Sequence, residues 1–193
     1  MVRVHYRPPF FLLRICRAEQ EQNASGIFFP GKKLNNPAIK IETSRLVIRL
    51  SGNAEMEAIV RREKDGGLKV VYAEMLENCL RHPEAREWHA LWLISLKDTP
   101  DTLVGSMAFK GLSAEGRAEI GYGIEDGFRG NGYAAEAVAA LTRWAAVRPG
   151  VVSIEAETEP DNLASQKVLG KAGFVPNGKN GGEGPRFVWK REN

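Results

Sequence analysis

Two cysteines in 193 residues, Cys16 and Cys79, are too few for a disulfide framework, and neither sits in a metal-binding spacing. No apolar run approaches the roughly 20 residues that span a bilayer. Phe10-Phe11-Leu12-Leu13 is interrupted on both sides by arginines at 7, 14 and 17, and is too short for a secretory core. Internal repeats are absent. These absences leave a reduced, cytoplasmic chain with no membrane segment and no metal as the expectation. The apolar content of 43% is enough for a single core.

Charge of one sign is also scarce. The net charge is +3, and it is unevenly placed. Residues 1–38 carry six basic side chains (Arg3, Arg7, Arg14, Arg17, Lys32, Lys33) against Glu19 and Glu21. The remainder holds 21 basic against 22 acidic residues, which is not the basic face of a general nucleic-acid binder. Residues 1–38 also contain Pro8-Pro9, Pro30-Gly31 and Asn35-Asn36-Pro37 without sustained periodicity. They are expected to form an irregular basic extension. An RNA contact through that head would be salt-sensitive and lost on its deletion. A single domain is expected over residues 39–193.

Within that domain, Ile39, Ile41, Leu46, Ile48 and Leu50 alternate with polar residues as one first strand. Asn53 can cap a short helix towards Arg62, which Asp65-Gly66-Gly67 ends. Leu68, Val71, Met75 and Cys79 then recur at helical spacing as far as His82-Pro83. Residues 88–96 read as a strand with Trp88, Trp92 and Leu96 on one face, hairpinned to a second strand over 103–109. The two indoles could floor a pocket or fill the core. His89 stands on the opposite parity with no companions for a metal. A last helix is expected from Asp161 or Asn162 to about Ala172, with strands at 174–176 and 186–190 flanking a Gly-rich loop. That loop either covers an acceptor or merely connects. The fold class expected is α/β (α+β): a mixed, mostly antiparallel twisted sheet with flanking helices.

The most informative stretch is 118–146. Ile120, Tyr122 and Ile124 alternate with Glu119, Gly121 and Gly123 as a strand. Arg129-Gly130-Asn131-Gly132-Tyr133-Ala134 follows, and Ala134, Val138, Leu141 and Ala145 recur at helical spacing. The first amides of a helix lack internal partners, its dipole adds positive charge there, and glycines admit a ligand to the backbone. A phosphorylated ligand is expected. A strand over 151–158 after the helix makes a parallel crossover. The nucleotide P-loop needs Gly-Lys-Ser/Thr, but Tyr133 follows Gly132. Residues 130–135 satisfy the dinucleotide form G-x-G-x-x-G/A, with Glu155 as a ribose-binding acid, yet the unit comes too late to open a doubly wound sheet.

The third possibility uses residues outside the glycines. Arg129-x-x-Gly132-x-Ala134 resembles motif A of the GNAT superfamily of N-acetyltransferases. Asn162-x-x-Ser165-x-x-Val168-Leu169-x-x-x-Gly173-Phe174 resembles its motif B, and TSRLVIR at 43–49 its first strand. The resemblance covers roughly residues 40–190. AEIGYGI, RGNGYAAEA and NLASQKVLGKAGF look most like the branch containing the Rim-type protein N-terminal acetyltransferases.

That resemblance implies acetyl-CoA as donor and a primary amine, either a protein N-terminus or a small molecule, as acceptor. It places the CoA pyrophosphate on the amides of Arg129, Gly130, Asn131, Gly132, Tyr133 and Ala134. The pantetheine arm would lie between two splayed strands, with Asn162 on its amides and the backbone around Gly123 and Ile124 on the thioester oxygen. It implies direct attack by the amine after a carboxylate removes its proton, with Glu119 as the base and Glu157 as the runner-up. Many members protonate the leaving thiolate with a tyrosine seven residues after the motif B asparagine, where this chain has Leu169. Ser165 resembles a serine that hydrogen-bonds the CoA sulfur. Lys110 and Arg186 could meet an anionic acceptor. A non-catalytic CoA- or acyl-CoA-binding sensor or scaffold is the alternative that the missing tyrosine sustains. A homodimer is the expected assembly.

Overall fold

The structure, a computed structural model, describes residues 39–190, so the basic extension and any RNA contact through it lie outside the described residues. The stretch expected as one first strand is two: β1 (Lys40–Glu42) and β2 (Leu46–Leu50), antiparallel with Lys40 opposite Arg49. The polar residues 43–45 turn between them because Glu136, far along the chain, accepts from Thr43 Oγ1 (2.6 Å), Ser44 Oγ (3.0 Å) and the Arg45 amide (3.0 Å). Helix α1 (Asn53–Arg62) follows, with Asn53 inside it and Gly52 at its cap. Asp65 caps α2 (Gly66–Arg81): its Oδ1 accepts from the amides of Gly67 at 3.0 Å and Leu68 at 3.1 Å.

Pro83 opens a short 3-10 segment, Pro83–Trp88, which removes Trp88 from the expected strand. Then come β3 (Trp92–Leu96), β4 (Leu103–Leu112), β5 (Arg117–Ile124), α3 (Tyr133–Ala146), β6 (Ser153–Glu157), α4 (Leu163–Lys171), β7 (Val175–Asn180) and β8 (Pro185–Lys190). They form one eight-stranded sheet in the order β1-β2-β3-β4-β5-β6-β8-β7. Every pairing is antiparallel except β5 with β6. The mixed, mostly antiparallel class is the one expected.

Alternation of side chains assigns the two faces. Ile120, Tyr122 and Ile124 join Val138, Leu141 and Ala145 of α3 and Leu169 of α4 in the larger core. Leu91, Leu93 and Ala108 pack on the other face with Met56 of α1 and Leu68 and Tyr72 of α2. Trp88 and Trp92 are both core: Trp92 is fully buried, and their rings contact Phe109 and Trp144. The pocket-floor alternative for the two indoles is therefore not what the fold uses.

One irregularity organises the sheet. β5 and β6 pair only through Arg117↔Ser153, Ala118↔Ile154 and Glu119↔Glu155. Beyond Glu119, β5 stays with β4, while β6 continues along β8 with Ala156 opposite Phe187 and Glu157 opposite Arg186. The parallel strands thus open into a fork. Gly105 of β4 sits behind it, where a Cβ would overlap the Gly123 carbonyl oxygen and come within 2.9 Å of Ile124 Cδ1. Backbone cannot yield there as a side-chain end could. Gly105→Ala is expected to cost about 1–3 kcal/mol of stability, measured by urea unfolding.

Candidate active site

The fork has a definite backbone parity. The Glu125 amide donates to the Val104 carbonyl at 3.0 Å, making theirs a hydrogen-bonded pair. Such pairs alternate along an antiparallel ladder. With Gly123 opposite Ser106 and Tyr122 opposite Met107, Gly123 bonds to β4, and Tyr122 and Ile124 turn their amides and carbonyls towards the fork. Arg129 Nε agrees with this, donating to the Ile124 carbonyl at 3.1 Å. The Ile124 backbone therefore faces the fork. Gly123 does not, because its amide is turned into the sheet. Its neighbour Tyr122 has the fork-facing parity instead.

The turn at the end of β5 forms a cradle of backbone amides of the kind that can hold an anion. Gly130 and Gly132 have φ of 80° and 79°, a left-handed conformation that favours glycine. A Cβ at Gly130 would meet nothing within 4 Å, and at Gly132 the nearest group is Arg45 Nη2 at 3.5 Å. Among the described residues, none accepts a hydrogen bond from the amides of residues 130–135; the first bond of α3 is Glu136 N to the Gly132 carbonyl. Arg129 is held across the turn by Ile124 and by Asp126, whose Oδ1 is 3.0 Å from Arg129 Nη2. The Asn131 side-chain amide donates to the carbonyls of Phe128 and Arg129, and the Asn131 backbone carbonyl accepts from Arg45 Nη1 at 2.9 Å.

Arg45, within the TSRLVIR stretch, is a second cation at this turn, a placement that its strand motif did not indicate. It lies over the Tyr133 ring, 4.7 Å from its centroid, and pairs with Glu136 at 2.6 Å. Burial pushes Glu136 up, but hydrogen bonds from Thr43, Arg45 and Ser44 outweigh it and hold the carboxyl below its ordinary range. The cradle is thus braced by the β1–β2 turn.

Motif B brings Asn162 and Ser165 to the start of α4. Asn162 Oδ1 accepts from the Ser165 amide at 3.0 Å, capping the helix. Ser165 Oγ lies 2.8 Å from the Tyr122 hydroxyl, which also reaches the Ser165 carbonyl at 3.1 Å. Both residues are buried. Burial pushes the Tyr122 phenol up to about 12, against the opposing pull of its bond to Ser165. Leu169, where a tyrosine would be expected, is fully buried in the core.

The opposite parity gathers charge. Glu119 on β5 is ion-paired to Lys110 through one carboxylate oxygen and to Arg186 through the other. Arg186 Nη2 also lies 3.3 Å from Glu155. Lys110 and Arg186 therefore meet these carboxylates. Glu157 accepts from the Glu183 and Gly184 amides, the latter at 3.0 Å, and so clamps the β7–β8 turn onto β6. A Cβ at Gly181 would overlap the Glu157 carboxylate, so that clamp requires glycine there.

The clamp places Glu183 against this cluster. No described group makes a hydrogen bond or ion pair to the Glu183 carboxylate. Burial first, then Glu157, Glu119 and Glu159, push it up to about 7 against the pull of Lys110. Glu183 had no signal in the sequence beyond being an acid in a Gly-rich loop. Among the described residues, no group of three or more His, Cys, Asp or Glu could hold a metal, and no helix is long and apolar enough to cross a membrane.

Comparison with known proteins gives this geometry a family. The chain is 42% identical over 90 residues to the Bacillus subtilis uncharacterized N-acetyltransferase YjdG, covering 46% of this chain and 53% of that one. It is 30% identical over 151 residues to YoaA of the same organism, described in the same terms, covering 72% and 84%. The chain spans about half the length of two of the curated relatives it matches. Among solved structures, the ribosomal L7/L12 alpha-N-protein acetyltransferase RimL in complex with coenzyme A superposes with a TM-score of 0.62. That match has 18% identity and covers 79% of this chain and 98% of that one, a likeness of fold. The family model described as the acetyltransferase (GNAT) domain matches residues 50–175, and the chain belongs to the GNAT acetyltransferase family.

Proposed function

We propose that this chain transfers the acetyl group of acetyl-CoA directly to a primary amine. The observation that carries the reading is the fork itself. It leaves the β6-side edge of β5 beyond Glu119 without a strand partner, between the glycine turn at one end and a cluster of carboxylates on the opposite face. A relative of the same fold is described as a complex with coenzyme A, which supports the choice of donor.

In this reading the cradle amides, with Arg45 and Arg129 at its edges, hold the pyrophosphate. Asn162 contacts the pantetheine arm. The Tyr122 and Ile124 amides are the donors available to the thioester oxygen as negative charge develops there. Glu183 is the base. An ammonium must lose its proton before nitrogen can attack, and a carboxyl poised near neutrality suits that task. Glu119 and Glu157 serve the site differently: one neutralises Lys110 and Arg186, the other fixes the loop that carries Glu183.

The second reading, a non-catalytic CoA sensor or scaffold, draws on the buried Leu169. Incubation of the full chain with acetyl-CoA and a panel of N-terminal peptides and small amines, with released thiol measured, separates the two. Amine-dependent thiol release supports transfer. CoA binding with no turnover on any amine supports the sensor.

A further inference from the structure

We propose that Tyr122 is a positioning residue for the leaving group: its phenol orients the Ser165 hydroxyl so that the serine's proton points into the fork towards the departing sulfur. This rests on acetyl-CoA being the donor. A phenol has one proton, and the Tyr122 hydroxyl has two partners on one residue, Ser165 Oγ at 2.8 Å and the Ser165 carbonyl at 3.1 Å. If that proton goes to the carbonyl, the serine hydroxyl must donate back to the phenol oxygen, and nothing is left for sulfur. If it goes to Oγ, the serine's own proton is released to a third acceptor. A thiolate in the fork selects the second arrangement, because hydrogen bonds to charged acceptors are the stronger ones.

Three further observations support this. Tyr122 and Ser165 are 9% and 8% exposed, so water competes little for either hydroxyl. The phenol's raised ionisation keeps it a donor throughout the neutral range. Leu169 closes the position from which a helix tyrosine could otherwise act. The chemistry balances without moving the serine's proton. The ammonium's first proton passes by way of the base to solvent before attack. Then the C–N bond forms, the C–S bond breaks with its electron pair on sulfur, the second proton leaves the acylated nitrogen for the base, and the thiolate departs stabilised by the Ser165 O–H.

The test titrates the thiol of CoA bound to the full chain by its thiolate absorbance. Protein thiols and phenols are subtracted by titrating each variant without CoA. Tyr122→Phe, which keeps the ring, is expected to raise the bound thiol's midpoint by about one pH unit, as loss of a charged hydrogen bond would. Ser165→Ala should raise it as far, and the double variant no further than Ser165→Ala alone, since Tyr122 acts through Ser165. A fluorinated tyrosine at 122, a stronger donor of nearly the same shape, should lower it. A midpoint unmoved by Tyr122→Phe and by the fluorinated residue overturns the proposal, as does a double variant in which the two effects add. Failure of the wild-type chain to bind CoA would instead remove the acetyl-CoA reading, and this proposal with it.

Discussion

Glu183→Gln is expected to lower kcat by roughly 10²–10⁴-fold near neutral pH, the range that a general base contributes. It should also make the protein more stable. Burial, reinforced by Glu157, Glu119 and Glu159 against Lys110, pushes Glu183 up to about 7 from an ordinary value of 4.5. Between those values the folded chain holds more protons than the unfolded chain, so stability falls as pH rises through that window and stays lowered above it. Glutamine carries no such penalty. The variant's melting temperature should match wild type below the window and exceed it by about 2 °C above pH 7. In wild type, activity should rise with pH through about 7 as the carboxylate appears, and this limb should flatten in the variant. The opposite pattern, a rate unmoved by Glu183→Gln and abolished by Glu119→Gln, would return the base to Glu119.

The second large effect belongs to the glycine turn. Replacing Gly130 and Gly132 together by alanine forces two side chains into left-handed backbone, at about 1–2 kcal/mol each. The turn can relieve that strain only by rotating its amides out of the cradle. The KM for acetyl-CoA is expected to rise on the order of 100-fold while kcat at saturation changes little, the signature of lost uniform binding. Acetyl-pantetheine, which lacks the pyrophosphate, should be used equally well by both proteins. Equal losses on the two donors would mean that the turn supports the fold rather than the anion.

Much of the fold was legible because its period was local. Ile120/Tyr122/Ile124, the helical spacing of α3 and the Asn162 cap are properties of neighbouring residues. The breaks were not local. The β1–β2 turn contains neither Gly nor Pro, and it forms because Glu136 gathers Thr43, Ser44 and Arg45 from more than 90 residues away. Trp88 has the parity of a strand residue and the burial to match, but Pro83 starts a 3-10 segment that carries it into the core by another path.

The site divides in the same way. The anion cradle follows from the glycines and the helix start, and Ser165 from its motif. Arg45, Tyr122 and Glu183 gain their meaning only from tertiary placement. Arg45 reaches the cradle through Glu136, Tyr122 meets Ser165 across the fork, and Glu183 is set in place by the carboxylate of Glu157. A search for the base by strand position alone finds Glu119, ion-paired through both oxygens, and Glu157, whose Oε1 accepts from two loop amides.

The most direct measurement of the central claim is transfer of isotopically labelled acetyl from acetyl-CoA to an amine by the full chain, followed by mass spectrometry alongside released thiol. Labelled acetyl amide and free thiol appearing in equal amounts, only when both substrates are present, is the predicted result. Saturable binding of acetyl-CoA with no labelled amide from any N-terminal peptide or small amine would contradict it.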